Sequence, residues 1–356
     1  MQFQFQPIHT IQDADNKKII LSSLLLFTII FLIIILSFGN KNEITISCTG
    51  DILFDRGVKI KLNAYGYDYP YKNVLEVLKK SDLTIGNLEC PLTSAGTPVY
   101  KRSDLIFKGD TKNAKELKAA GFDVLNLANN HSMDQGREGL LNTMKALKDN
   151  NIAVVGAGLN KKDSHKPVFV TRGGVKIGIL SYSCFPAEGY IFDSEMADIC
   201  HFDENLLKEE IVKAKKDCDF LMVFFHHGNE YDFYPSEIQK KYSHTAIDNG
   251  ADIVVGNHPH VLQGAEKYNG GYIFYSLGNF IFDRQAPFGT NETIILNLTL
   301  KNKKLSEIDA IPVKIIECQP TLSNDKSNVE ILNNFIRHSE GMGVNFKIEE
   351  NIIKIK

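Results

Sequence analysis

Several features are scarce in this chain, and each scarcity removes a class of function. Net charge is the first: 40 Lys and Arg against 43 Asp and Glu leave a formal −3 over 356 residues. A surface built to hold nucleic acid carries a basic footprint for the phosphates, so no nucleic acid partner is expected. Paired cysteines are the second. The six cysteines, at 48, 90, 184, 200, 218 and 318, include no CxxC, which excludes a zinc ribbon or a redox dithiol. Cys48 and Cys218 lie in or beside apolar strand-like runs, where a buried free thiol is the commoner state, and no particular disulfide is expected. A phosphate-cradling P-loop is the third, so ATP-driven ligation would need a different protein. Internal repeats and low-complexity linkers are also missing. What remains, at 43% hydrophobic residues, is enough chain for one large core or two modest ones.

Long apolar runs are scarce too, with one exception. Ile19 to Phe38, "IILSSLLLFTIIFLIIILSF", holds no charge, Pro or Gly and as a helix would span roughly 30 Å, the thickness of a bilayer's hydrocarbon core. Lys17 and Lys18 precede it and Lys41 follows, a balance that puts the N-terminus in the cytoplasm. A cleaved signal peptide would have a shorter apolar region ending in a small-x-small site, and "ILSFGNK" offers none. The expectation is a cell-membrane protein crossing once. Residues 1–18 form a short cytoplasmic leader, 19–38 the transmembrane anchor, and the main domain lies outside the membrane.

Beyond the anchor, short apolar runs alternate with helix-like stretches. "ITISCTG", "LTIGNLE", "VLNLANN", "FLMVFFHHG", "DIVVGNH" and "YIFYSLGNF" read as strands. "TKNAKELKAAG" reads as a helix opened by Thr111 or Asp110 and closed by Gly121. "DQGREGLLNTMKALKDNN" sets Leu140, Leu141, Met144 and Leu147 on one helical face. "PSEIQKKYSHTAIDNG" starts with Pro in its first turn and stops at Gly250. Such alternation predicts an α/β layered domain with a parallel or mixed sheet. "ETIILNLTLKNKKLSEIDAIPVKI" alternates with period two around a polar turn and reads as a closing hairpin. The domain is expected over 43–316, with 317–356 as a C-terminal appendage.

Polar residues gather at the C-terminal ends of the strands, where ligands bind in α/β folds. Asp51 follows "ITISCTG", Glu89 follows "LTIGNL", and Asn129, Asn130 and His131 follow "VLNLA". His226 and His227 follow "FLMVFF", His258 and His260 follow "DIVVGN", and Asn279 and Asp283 flank the end of "YIFYSLG". Each has a plainer explanation. Asp51 could cap a turn, Glu89 could be a surface carboxylate, and "NNH" could be a loop of amide–backbone hydrogen bonds. "HH" could be one core and one exposed histidine, since adjacent strand residues face opposite ways and only one can reach a site. Together, one Asp, one Glu, one Asn and three or four His at strand ends point to a divalent metal site. Mixed N and O donors suit Mn, Zn or Fe, in one or two ions.

Six motifs in order, "TGDILFDRG", "GNLECPLT", "FDVLNLANNHSMDQGREGL", "HHGNEY", "GADIVVGNHPHVLQG" and "YSLGNFIFD", resemble the CapA family of poly-γ-glutamate capsule synthesis proteins over residues 44–316. The resemblance implies a fold related to calcineurin-like metallophosphoesterases: a four-layer αββα sandwich of two mixed sheets. It also implies Asp51, Glu89, Asn130, His226, His258 and His260 as metal ligands, with His131 as the acid that protonates a leaving group. Asn129, Glu230 and Asn279 would line the site or support it. "GNHPH" looks at first like both the middle and the final motif of such a site. Asn130 and His131 already fill the middle role, so His258 and His260 take the final one. Against the phosphoesterase pattern, Leu53 stands where D-x-H has its histidine and Glu89 where a bridging Asp is usual. Against the CapA pattern, His227 and Asn257 replace an aromatic residue and a histidine.

The resemblance implies a membrane-anchored factor assisting synthesis, transport or attachment of an anionic polymer such as poly-γ-glutamate, beside membrane-embedded synthesis or export subunits. Two other readings stand with it. One is a metal-dependent hydrolase of phosphoesters or polymer amides. The other is a non-catalytic scaffold on a degenerate phosphoesterase fold.

Overall fold

The computed structural model describes residues 43–283, 287–322 and 326–356, with residue 1 and the short pieces 21–23 and 27–28. Most of the expected leader and anchor therefore lies outside the described residues. Among those described, no helix is long and apolar enough to cross a membrane. Residues 1–42 and 43–356 separate into two units.

In chain order the strands of the second unit are β1 (Glu43–Ile52), β2 (Leu83–Leu88), β3 (Val124–Asn126), β4 (Ala153–Val155), β5 (Ala157–Gly158) and β6 (Val168–Arg172). They continue as β7 (Val175–Ser183), β8 (Asp198–Ile199), β9 (Phe220–His226), β10 (Ile253–Asn257), β11 (Ala265–Tyr268) and β12 (Gly271–Phe274). The last are β13 (Asn279–Ile281), β14 (Glu292–Lys301), β15 (Lys304–Ile316), β16 (Gln319–Thr321), β17 (Phe346–Glu349) and β18 (Ile352–Ile355). The helices are α1 (Arg56–Tyr65), α2 (Leu75–Lys80), α3 (Asn113–Ala120), α4 (Gly136–Asp149), α5 (Lys161–Ser164), α6 (Glu204–Lys216), α7 (Glu237–Asp248) and α8 (Lys326–His338).

Two mixed sheets result. The first runs β17-β18-β15-β14-β1-β2-β3-β4, with β13 also beside β1 and β16 beside β15; the second runs β11-β12-β10-β9-β7-β6. In the first, β1 to β4 are parallel, β14 is antiparallel to β1, and β15 is antiparallel to β14. In the second, β7, β9, β10 and β12 are parallel, edged by antiparallel β6 and β11.

Strand β9 shows why the layers form. Phe220, Met222 and Phe224 enter a core between the sheets with Ile46, Cys48, Ile85 and Leu296. Leu221, Val223 and Phe225 face the other way, onto Leu207 and Ile211 of α6 and Ala246 of α7. A strand covered on both faces reads as an unbroken apolar run, which "FLMVFF" is. The outer face of the first sheet is covered likewise: Leu88 and Leu125 pack with Leu62, Leu78, Leu117 and Leu140 of α1 to α4. The order is helices, sheet, sheet, helices.

Local chemistry adjusts several expectations. Helix α3 closes on Gly121, whose φ of 111° is left-handed. On α4, Leu140 and Leu147 are buried but Leu141 is 39% exposed, so the apolar face is narrower than the spacing implies. Helix α7 begins at a capping box between Ser236 and Gln239, leaving Pro235 before the cap rather than in the first turn. The β14–β15 hairpin closes on Asn302 and Lys303, both with positive φ (51° and 67°), the two-residue turn that matches strand twist. The stretch expected as an appendage belongs to the same unit: β16 and β18 pair with β15, and Ile331, Leu332 and Phe335 of α8 are buried in the inter-sheet core. The domain expected to stop at 316 thus continues through Lys356.

Candidate metal centre

The strand ends of both sheets meet at one place. Pairing of β1 with β13 sets Asp51 beside Asn279, and pairing with β2 sets Ile52 beside Leu88, so Glu89 emerges next to them. From the second sheet, β9 ends on His226, paired with Asn257 at the end of β10. The approach of β1 to β13 depends on Gly50, where a Cβ would sit 2.0 Å from the Gly278 carbonyl oxygen; Asp51 N–H donates to that oxygen at 2.9 Å.

Two groups of donors converge, Glu89 with His226 and His258, and Asp51 with Glu89 and His260. Glu89 is common to both, and the donor atoms within each group lie within 4.8 Å of one another. In the first, His226 Nε2 stands 2.9 Å from Asn130 Oδ1, 3.2 Å from His258 Nδ1 and 3.6 Å from Glu89 Oε1. In the second, His260 Nδ1 is 3.4 Å from Asp51 Oδ2 and Nε2 is 3.8 Å from Glu89 Oε1. Asn279 Oδ1 lies 2.9 Å from His260 Nδ1 and fixes that ring. His227 turns away, its ring 5.3 Å from and stacked on Phe225, as alternation requires. Leu53 is buried in the outer core of the first sheet.

His258 and His260 converge on a bent backbone. Their φ angles are 99° and 58°, values that residues other than glycine rarely adopt. The bend is held by neighbours: Tyr231 N–H donates to the Pro259 carbonyl at 2.8 Å, and His258 N–H points to Asp51 Oδ2 at 3.4 Å. Strained backbone held by its surroundings gathers at functional sites.

Burial sets the protonation of the cluster. Burial, then the charge of neighbouring Asp51, pushes Glu89 well above the ordinary carboxylate range. Burial, reinforced by neighbouring imidazoles, pulls His226 and His258 well below the ordinary histidine value. Both Glu89 oxygens are buried without a hydrogen-bond partner among the described residues, a costly state for a carboxylate unless a cation neutralises it. Two carboxylates, one amide and three imidazoles, with Glu89 so orphaned, fit one or two divalent cations.

His131 lies at the edge of the cluster. Its Nδ1 is 2.9 Å from Asp134 Oδ2, which also accepts from Phe107 N–H at 2.7 Å. The other oxygen of Asp134 pairs with Lys101 Nζ at 2.5 Å. Burial holds the His131 pKa below its usual value, against the opposing pull of Asp134. Asn129 does not join the donors; its Oδ1 accepts from His131 N–H (3.1 Å) and Ser132 N–H (2.9 Å), shaping the loop that presents Asn130 and His131. Glu230 is exposed beside Tyr231.

Sequence reasoning missed several supporting residues. Asn87 donates to Asp51 Oδ1 at 2.8 Å and accepts from Asn126 and Asn129 at 2.9 and 3.1 Å. Phe185 lies against His258, ring centres 4.1 Å apart. Polar Asn87 and Asn126 inside otherwise apolar strands were the signal available for the first; nothing local marks Phe185.

The family model for the bacterial capsule synthesis protein PGA_cap matches residues 45–284. The chain belongs to this family. The capsule biosynthesis protein CapA of Bacillus anthracis is 37% identical over 299 residues, 82% of this chain and 72% of that protein. The PGA biosynthesis protein CapA of Bacillus subtilis (strain 168) is 34% identical over 284 residues, 79% and 74% of the two chains. Among solved structures, the calcineurin-like phosphoesterase YfkN from Bacillus subtilis overlays with a TM-score of 0.43 at 14% identity, covering 84% of this PGA_cap family member and 97% of that chain.

Proposed function

We propose that this PGA_cap family member is a membrane-anchored, extracytoplasmic factor that handles an anionic polymer of the poly-γ-glutamate type through a divalent metal centre. Its ligands would be Asp51, Glu89, Asn130, His226, His258 and His260, with Glu89 shared between two positions. The observation that carries the reading is the buried, partnerless carboxylate of Glu89 beside Asp51 and three imidazoles. The printed names of the two CapA relatives, capsule biosynthesis in one and PGA biosynthesis in the other, support the polymer. The charge-free run Ile19–Phe38 supplies the anchor. Membrane-embedded synthesis or export subunits are the expected partners. Metal analysis of the purified full-length protein tests the centre: one or two Mn, Zn or Fe ions per chain are expected, and none would favour a scaffold. Deletion of the gene with no change in capsule or polymer yield would sink the polymer role.

Hydrolysis is the second reading, favoured by the Lys101–Asp134–His131 arrangement. A divalent cation in this centre would supply Lewis acidity. Asp134, held by Lys101 and Phe107 N–H, orients His131 through Nδ1. With Nδ1–H donated to Asp134, His131 would act in its doubly protonated form, giving the Nε2 proton to the leaving oxygen or nitrogen as water takes that group's place. His131→Ala should remove at least about 100-fold of any turnover of a phosphoester or γ-glutamyl amide, with bound metal retained. Unchanged turnover would exclude His131 as the acid.

A further inference from the structure

Arg56 is held by its side-chain contacts at a backbone position that disfavours it. It opens α1, where the positive end of the helix disfavours a cation, and its φ of 49° is a left-handed value. Its guanidinium lies between two rings, the central carbon 4.9 Å from the Phe107 centroid and 5.3 Å from that of Phe282. Both rings also border the cluster: Phe107 stacks on His131 at 4.2 Å, and Phe282 lies 5.1 Å from His260. One corner of the guanidinium is fixed, because Nη2 donates to Asp283 Oδ1 at 2.5 Å. Asp283 is held in turn by Gly57 N–H at 3.3 Å. Nε is buried and has no partner among the described residues.

A guanidinium stacked on aromatic faces and pinned at one corner is oriented before any ligand arrives. Its remaining N–H groups suit a planar or tetrahedral oxyanion. Lys101, the cation beside His131, is engaged by two carboxylates, Asp134 at 2.5 Å and Glu188 at 3.6 Å, whereas Arg56 is paired with one, Asp283.

We infer that Arg56 is the anion-recognition residue of this centre, binding a carboxylate or phosphate oxygen of a ligand whose neighbouring group lies at the Asp51–Glu89–His260 end of the cluster. The inference rests on the cluster being the ligand-holding site. It gives the centre a preference for ligands with a second negative group next to the one engaged there, as successive residues of a polyglutamate chain have. Phosphate and carboxylate share this chemistry, and one probe of each kind separates them.

The test is calorimetric titration of the full-length protein in detergent with inorganic phosphate and with γ-glutamylglutamate, each with Mn²⁺ and after chelation. Wild type with Mn²⁺ should bind at least one probe, and which one identifies the class. Arg56→Gln should weaken that binding about tenfold or more with Mn²⁺ content unchanged, and Arg56→Lys should fall between, keeping charge but losing the stacked fork. Equal affinity in wild type and Arg56→Gln, or binding of neither probe by wild type, would overturn the assignment. Binding that Arg56→Gln loses, in a wild type that takes up no Mn²⁺, would leave Arg56 standing and remove the metal reading instead.

Discussion

His226 and His227 are neighbours in sequence with opposite surroundings. His226 joins the cluster, whereas His227 is buried on the other face with neither ring nitrogen in a hydrogen bond of good geometry among the described residues. Burial pushes its pKa down to about 3, only partly offset by the Tyr275 backbone. The unfolded chain therefore takes up a proton near pH 6.5 where the folded chain does not. The native state loses stability as pH falls below 6.5 and goes on losing it to about 3. At pH 5 the loss is about 2 kcal/mol. His227→Phe keeps the stack on Phe225 and removes the proton site. Its thermal midpoint at pH 5 should exceed that of wild type, with the gap closing above pH 6.5. A gap independent of pH would mean that His227 is hydrogen-bonded in solution. At this scale the sequence was informative about which residues gather, because polar residues interrupt apolar runs at strand ends. It was silent about how they are presented. The left-handed bend of His258-Pro259-His260 comes from contacts with Tyr231 and Asp51, residues far away in the chain, and Arg56 is given its setting by Phe107 and Phe282.

At the scale of elements, the central strands and the β14–β15 hairpin were legible because their apolar periodicity is dictated locally. The C-terminal region was misjudged for a physical reason. Residues 317–356 are polar on average, and their apolar residues become meaningful only when α8 presents Ile331, Leu332 and Phe335 together to a core built by distant strands. Phe335 is fully buried and its ring lies near Phe274 (6.4 Å) and Phe346 (5.8 Å). Phe335→Ala should therefore cost about 3–5 kcal/mol by loss of burial and a residual cavity, read as a lowered denaturant midpoint with unchanged slope. A cost near zero would restore the view of this region as a peripheral appendage.

At the scale of the whole domain, the proposed centre is where residues from both sheets meet: Asp51 and Glu89 stand at strand ends of the first, His226 and His258 at strand ends of the second. A cation held there would tie the sheets together and bind only the folded chain. Free metal at 100 times its dissociation constant then stabilises by about 2.7 kcal/mol. Glu89 gives this expectation a signature that non-specific binding lacks. Its folded pKa is raised, so in the metal-free protein its ionisation costs stability above about pH 4.5, increasingly as pH rises toward the folded value. Glu89→Gln removes that cost together with the carboxylate proposed to be shared. Without metal at pH 7 the variant should melt above wild type, and the difference should shrink toward pH 4.5. With Mn²⁺ or Zn²⁺ the order should reverse, because only wild type gains. Calorimetric scans of both proteins, with chelator and with each metal, decide it. A metal-dependent rise in Glu89→Gln equal to that of wild type would place the ion elsewhere and leave the orphaned carboxylate without a physical account.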